Sequence, residues 1–290
     1  MQSVYKIFSF CALCVLLLSC EQPQFTDDLP EQPAPSLTVS IFEIEHTPFQ
    51  SLTRASAAEA CNRLSFAVYD QVGTRVKMVT QKLGDADFGT ASFQLTEGTY
   101  QIVAVAHSSD GNPTMTNPAK IQFTNAMGYS DTFYDTKDVT ITSEPQTLSL
   151  SLRRNVALCR FVITDDYPKG VAKLRFLYTG GSGAFDASTG LGSVRSTQTI
   201  WYNDVSTNQK QFDLYTFLHD IEGTIHLLVS AYNSNDEVLH EREFDIPLRQ
   251  NEITWFKGAY FSGKGNVTTG NLTSTIDIST TWSGQSQLTY

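Results

Sequence analysis

The residues best able to move a proton near neutral pH, or to hold a metal, are five histidines: His46, His107, His219, His226 and His240. None stands in an HExxH frame or another compact ligand spacing, and His226 lies in a run that alternates like a half-exposed strand. Asp165-Asp166 is a carboxylate pair of the sort that can divide acid and base roles, but Tyr167-Pro168 follows and the stretch reads as a turn. Tyr178-Thr-Gly-Gly-Ser-Gly183 is rich in glycine. No Walker lysine follows it and Ser182 lacks the GxSxG frame of a nucleophile elbow, so it reads as a flexible loop. Asn233, Asn235 and Glu237 alternate oxygen ligands without the rest of a calcium loop. These patterns support no catalysis, and no metal, cofactor or small-molecule substrate is expected.

The thiols carry more information. Lys6 opens a short positive region and Ile7 to Leu18 is an apolar run broken only by Ser9, which is the pattern of a signal peptide over residues 1–19. A spanning helix needs roughly 20 apolar residues, so the run is too short to remain as an anchor. It ends in Leu17-Leu18-Ser19-Cys20, similar to the lipobox in which a small residue precedes the cut and the new N-terminal thiol forms a thioether to diacylglycerol. Cys20 is therefore the expected lipidation site, with Leu17, Leu18 and Ser19 as the cleavage sequence. Each buried methylene of such a lipid contributes about 0.8 kcal/mol, and two chains hold stably where one does not. Cys61 and Cys159 remain. In an oxidising compartment they are either one disulfide or two buried apolar thiols.

After Cys20 the chain changes character. Residues 20–36 contain four prolines and the acidic Glu21, Asp27, Asp28 and Glu31, a composition that cannot make a core and reads as an extended tether. The formal net charge is −10 and becomes one unit more negative once Lys6 leaves. With Arg153-Arg154 as the sole adjacent basic pair, a nucleic-acid partner is not expected.

Strands must position everything beyond the tether. Leu37 to Ile44 places Leu37, Val39 and Ile41 on one face, and Leu64 to Tyr69 places Leu64, Phe66 and Val68 on one face. Asp70-Gln-Val-Gly73 turns that run into Arg75 to Val79, a hairpin. Ala91 to Leu95, Thr99 to Ala106, Leu148 to Leu152, Val156 to Ile163, Lys173 to Tyr178, Ile225 to Tyr232, Val238 to Ile246, Glu252 to Lys257 and Ala259 to Phe261 continue the pattern. No long window has helical spacing. The expectation is an all-β chain of two sandwiches, residues 37–152 and 153–290. Ser274 to Trp282, with Ile276, Ile278 and Trp282 on one face, reads as the terminal strand and as the candidate element for strand exchange with another chain.

A family resemblance rests on order. A lipobox and a proline-rich tether lead to "LSFAVYDQVGTRV", then "FQLTEGTYQIVAVA", then "RRNVALCRFVI", and near the end "TIDISTTW". This resembles the FimB-like fimbrial anchor subunits of Bacteroidales, lipoproteins related to the fimbrillins. The resemblance implies two tandem transthyretin-like β-sandwich domains on an outer-membrane lipid such as palmitate, exposed at the cell surface. It also implies a place at the base of a fimbria, with fimbrillin stalk subunits as partners. Stalk relatives are cut after an arginine and lose their first strand; anchors keep it. Arg54 is the position such a cut would use here, and otherwise a solvated loop residue.

One other function class fits the residues. Surface lipoproteins of this architecture bind glycans or act in cell adhesion through exposed aromatics, and Trp201-Tyr202 in the polar stretch 196–211 is the candidate platform. The blander reading makes it an aromatic anchor under a long loop.

Overall fold

The computed structural model describes residues 36–44, 57–205, 208–263 and 284–290. Their regular structure is eighteen strands and one four-residue helix, an all-β architecture. The first half holds β1 (Leu37–Ile44), α1 (Ala57–Ala60), β2 (Arg63–Tyr69), β3 (Arg75–Lys82), β4 (Thr90–Phe93), β5 (Gly98–His107), β6 (Thr114–Asn117), β7 (Lys120–Gln122), β8 (Thr132–Ile141) and β9 (Gln146–Arg154). The second holds β10 (Ala157–Ile163), β11 (Lys173–Thr179), β12 (Ala184–Phe185), β13 (Gln198–Tyr202), β14 (Gln211–Thr216), β15 (Glu222–Tyr232), β16 (Val238–Arg249), β17 (Glu252–Gly258) and β18 (Gly284–Thr289).

In the first half seven strands form one sheet in the order β3-β2-β5-β8-β9-β1-β4. β8 and β9 pair only at Phe133 with Arg154 and Tyr134 with Arg153, and the two arms of the sheet on either side of that short pairing share one core. The core between its two arms takes Leu64, Phe66 and Val68 from β2 and Ile102, Ala104 and Ala106 from β5. Leu37 and Val39 from β1 and Leu150 and Leu152 from β9 face them. β1 lies antiparallel to β4 and parallel to β9, with a register shift between Ile41 and Glu43 that turns Phe42 outward.

The second half is two four-stranded sheets, β14-β10-β17-β18 and β13-β11-β15-β16, facing each other across one core. Alternation does the sorting. Cys159, Phe161 and Ile163 of β10 meet Leu174, Phe176 and Tyr178 of β11 and Leu227, Val229 and Ala231 of β15. β17 and β18 run parallel, so no tight turn joins them.

A third apolar cluster joins the halves. β2 and β5 are buried on both faces, and their second face, Ala67, Tyr69, Val103 and Val105, packs against Val156, Leu158, Phe217 and Ile253. The small sheet β12-β7-β6 crosses the junction, with Ala184 and Phe185 paired to Gln122 and Ile121. Arg154 seals it: its Nε and Nη2 donate to Asp131 at 2.6 and 2.8 Å and its Nη1 to Asn251 at 3.2 Å.

Two expectations change. The glycine-rich stretch 180–183 is packed in place. A Cβ on Gly181 would lie 2.0 Å from Thr216 Oγ1, and Ser182, fully buried, donates its N–H to Phe217 O at 2.9 Å. Ala259 to Phe261 is no strand. The Asp165 carboxylate takes the N–H groups of Tyr260, Phe261 and Ser262 at 2.9, 2.8 and 2.7 Å, which removes those donors from any ladder. Asp165 is thus the clasp of that segment rather than an ordinary turn residue. The last described strand, β18, begins two residues after Trp282, and the candidate strand Ser274 to Trp282 lies outside the described residues.

Candidate functional site

Two places combine unusual geometry with the residues singled out by the sequence: the start of β1 and the side of the second half where β13 and β14 are the edge strands of their sheets. Cys20, its cleavage residues Leu17, Leu18 and Ser19, Arg54, and the candidate exchange residues Ile276, Ile278 and Trp282 lie outside the described residues.

Description begins at Ser36, and this residue is tied down. Its hydroxyl accepts the N–H of Leu95 at 2.8 Å, while its carbonyl accepts the N–H of Gln146 at 3.1 Å. β1 follows at once. Leu37, Val39 and Ile44 are fully or almost fully buried, and burying each contributes about 1.5–3 kcal/mol. Their sum is comparable to the whole stability of an ordinary domain, about 5–15 kcal/mol. β1 therefore cannot leave while the first core stays folded.

At the far side, β18 ends its sheet. Its only neighbour among the described strands is β17, and a sheet edge without a second neighbour carries main-chain groups of the kind that accept a strand. Leu288 is buried in the second core, and the Tyr290 ring stacks on Phe256 at 4.7 Å and Phe161 at 5.1 Å.

The edge of β13 makes a groove of about 610 Å³ lined by Thr199 to Tyr202, by Asp110, Asn125 and Tyr129 from the first half, and by Asp213. Trp201 points outward and is 45% exposed, its ring 5.2 Å from that of Tyr232, with the Arg175 guanidinium 5.7 Å away. Tyr202 turns inward against Phe176 and Phe212 and donates to Asp213 O at 3.2 Å. The aromatic pair is thereby divided between surface and core. The sequence placed the pair in an irregular polar stretch and missed the strand. Its clue was the alternation of Gln198, Ile200 and Tyr202.

The two thiols form no disulfide. Cys61 lies in the first core and Cys159 in the second, and both are free and buried. Burial pushes the Cys61 thiol up to about 12 and raises that of Cys159 as well, so neither is a thiolate near neutral pH.

The remaining polar residues serve local structure. His226 is exposed and bonds Asp245 across the strands, His219 Nδ1 meets Gly192 O at 2.8 Å, and His240 Nε2 meets Tyr260 O at 2.9 Å. Asn233 closes the hairpin turn by accepting the N–H groups of Asn235 and Glu237 at 2.9 and 3.0 Å. No group of three His, Cys, Asp or Glu that could hold a metal occurs among the described residues. His107 differs. It is fully buried, Nδ1 accepts the N–H of Ser109 at 3.2 Å, and Nε2 meets no hydrogen-bond partner. Desolvation lowers its pKa to about 4, which keeps it neutral.

These features define an all-β protein with two cores, a clamped first strand and, among the described strands, β13 and β18 at the edges of the sheets of its second half. The chain belongs to the family of unknown function DUF6562, whose family model it matches over residues 33–289. Among solved structures it is distantly similar to a candidate adhesin from Bacteroides ovatus ATCC 8483, with 15% identity, 76% of this chain and 85% of that chain covered, and a TM-score of 0.46. The fimbrial anchor protein Mfa2 from Porphyromonas gingivalis is similar at 12% identity over 71% of this chain and 80% of that one, with a TM-score of 0.39. A fimbrial assembly protein from Parabacteroides distasonis ATCC 8503 is similar at 15% identity over 76% and 89%, with a TM-score of 0.38. Comparison with curated protein sequences gives no match.

Proposed function

We propose that this chain is a surface-exposed outer-membrane lipoprotein, held by lipid on Cys20, that anchors a fimbria and limits its length through strand-mediated contact with a fimbrillin stalk subunit. The observation that carries the reading is the seating of β1. Paired on both sides and tied at Ser36, β1 joins whatever precedes it directly to the first core. A subunit that polymerises by giving up its first strand needs that strand to be removable; an anchor needs it fixed. The two separate cores, drawn from residues 37–152 and 157–288, support a reading of the halves as tandem transthyretin-like sandwiches. The partner side is assigned to the outer edge of β18, with Ile276, Ile278 and Trp282 of the segment before it choosing the partner.

Deletion of the gene tests the reading. Long fimbriae shed into the medium are expected, and fimbriae of ordinary length retained on the cell would overturn it. Cys20→Ser should release folded protein together with fimbriae. Because β18 closes the second core, the contact is tested by Ile276→Asp with Ile278→Asp in the full chain rather than by truncation.

A further inference from the structure

We propose that the groove along β13 is a binding site for a short, uncharged oligosaccharide, with the indole of Trp201 as its stacking platform. The site is independent of the anchor reading and of the β18 edge.

The argument begins with what holds the indole. Trp201 lies opposite Arg175, which lies opposite Ser230, which lies opposite Glu241, so one row crosses four strands on the outer face of the sheet. Arg175 Nη2 donates to Ser230 Oγ at 3.1 Å, and Ser230 Oγ donates to Glu241 Oε2 at 2.7 Å. The guanidinium is fixed by that chain and stands near both rings, 5.7 Å from Trp201 and 5.5 Å from Tyr232. Trp201 is thus braced on one side and still 45% exposed. A large aromatic surface held in advance loses little entropy on binding.

The rest of the groove selects the ligand class. A pyranose offers a C–H face to an aromatic plane and a rim of hydroxyls to polar groups. Here the rim would meet Asn125, whose Oδ1 is already occupied by the N–H of Thr199 at 3.0 Å and by Tyr129 OH at 3.1 Å, leaving its amide N–H groups to donate. The Asp110 carboxylate, exposed on the same groove, accepts. The groove carries carboxylates on a chain of net charge −10, and the cation nearest Asp213 is consumed, since Arg160 binds that carboxylate with two contacts of 2.7 Å. Uronates and sulfated sugars are therefore disfavoured.

A peptide strand fits less well. On an edge strand, alternate residues turn their main-chain groups outward, here Thr199 and Trp201. Asn125 takes the N–H of Thr199, and the chain bends away at Asp204, where φ is +57°. One free residue pair is too little for strand addition. The span from Thr199 to Tyr202 is about 10 Å at about 3.3 Å per residue, room for two sugar units.

Calorimetry of the full lipidated protein in detergent, titrated with cello-, malto- and manno-oligosaccharides of one to six units and with oligouronates, tests this. At least one neutral series should bind, its dimer within threefold of its hexamer and its monomer at least tenfold weaker. Trp201→Ala should weaken binding at least tenfold and Trp201→Phe less than threefold. Should Trp201→Ala lose its circular dichroism signature, Asn125→Ala decides instead, with a loss of at least threefold expected. Absence of binding by every neutral series, equal binding by Trp201→Ala, or binding of an extended peptide alone would each overturn the proposal.

Discussion

The two cores of this molecule are built by different means. The first is mainly aliphatic and is enclosed by a single sheet bent at one weak pairing, β8 with β9. The second is richer in aromatic rings and lies between two separate sheets, with Phe161 beside Phe176, Phe244, Phe256, Tyr260 and Tyr290 at ring-centroid separations of 5.1–6.2 Å. Each nevertheless includes a strand from one end of the described chain that runs parallel to a neighbour, β1 on β9 and β18 on β17. A parallel partner cannot be delivered by a tight turn, so each core depends on pairing one of the two ends of the fold, the first strand or the last, with a strand it does not reach by a hairpin. The lesson is that closure, not content, is what the halves share.

Phe161→Ala should break the comparison most sharply. Removing the ring that five others touch should cost about 3–5 kcal/mol. Urea denaturation followed by near-ultraviolet circular dichroism should show early loss of the second half, and a loss under 1.5 kcal/mol would mean that its aromatic packing is not what holds it. Next in size is the coupling of the halves. Asp131→Ala leaves the Arg154 guanidinium, 2% exposed, without its carboxylate, at a cost of about 3 kcal/mol. Calorimetry is expected to resolve two transitions in the variant and one in the wild type. A single unshifted transition would show that the apolar junction alone couples the cores. The smallest effect concerns acid and sharpens the asymmetry. His107, at the end of β5, has a folded pKa of about 4 against 6.5 unfolded, so the unfolded chain binds the extra proton between those values. Stability therefore rises with pH through that window, and about 1.5 kcal/mol should be lost between pH 6.5 and pH 5. His107→Gln should flatten the slope in thermal melts. An unchanged slope would place the acid response elsewhere.

Much of this arrangement was legible in the sequence where alternation was strong. Leu37–Ile44 is a strand with the predicted bounds, and the hairpin of β2 and β3 turns at Asp70, whose carboxylate accepts the N–H groups of Val72 and Thr74 at 3.0 and 2.8 Å. β8 escaped because Lys137 and Asp138 interrupt its middle, where the strand faces solvent. β14 escaped although Phe212, Leu214 and Thr216 alternate in full view, because it follows a polar stretch read as loop. The glycines at 180–183 misled for a different reason. Glycine marks both freedom and close approach, and only the neighbours, Thr216 and Thr224, decide between them. The outer row of Trp201, Arg175, Ser230 and Glu241 had no sequence signal at all. It exists only through the register of four strands.

The way the chain enters the fold has a mechanical consequence. A strand held along its length between two neighbours can yield to a pull in two ways, peeling bond by bond from one end or sliding with every bond strained at once. Tension reaching Ser36 along the axis of β1 meets the second case, since the ladders to β4 and β9 lie side by side with the line of force. The side-chain and main-chain bonds of Ser36 stand at the point where peeling would have to start. In engineering terms the junction is a lap joint with a stitched lip, strongest against a pull along the axis of β1.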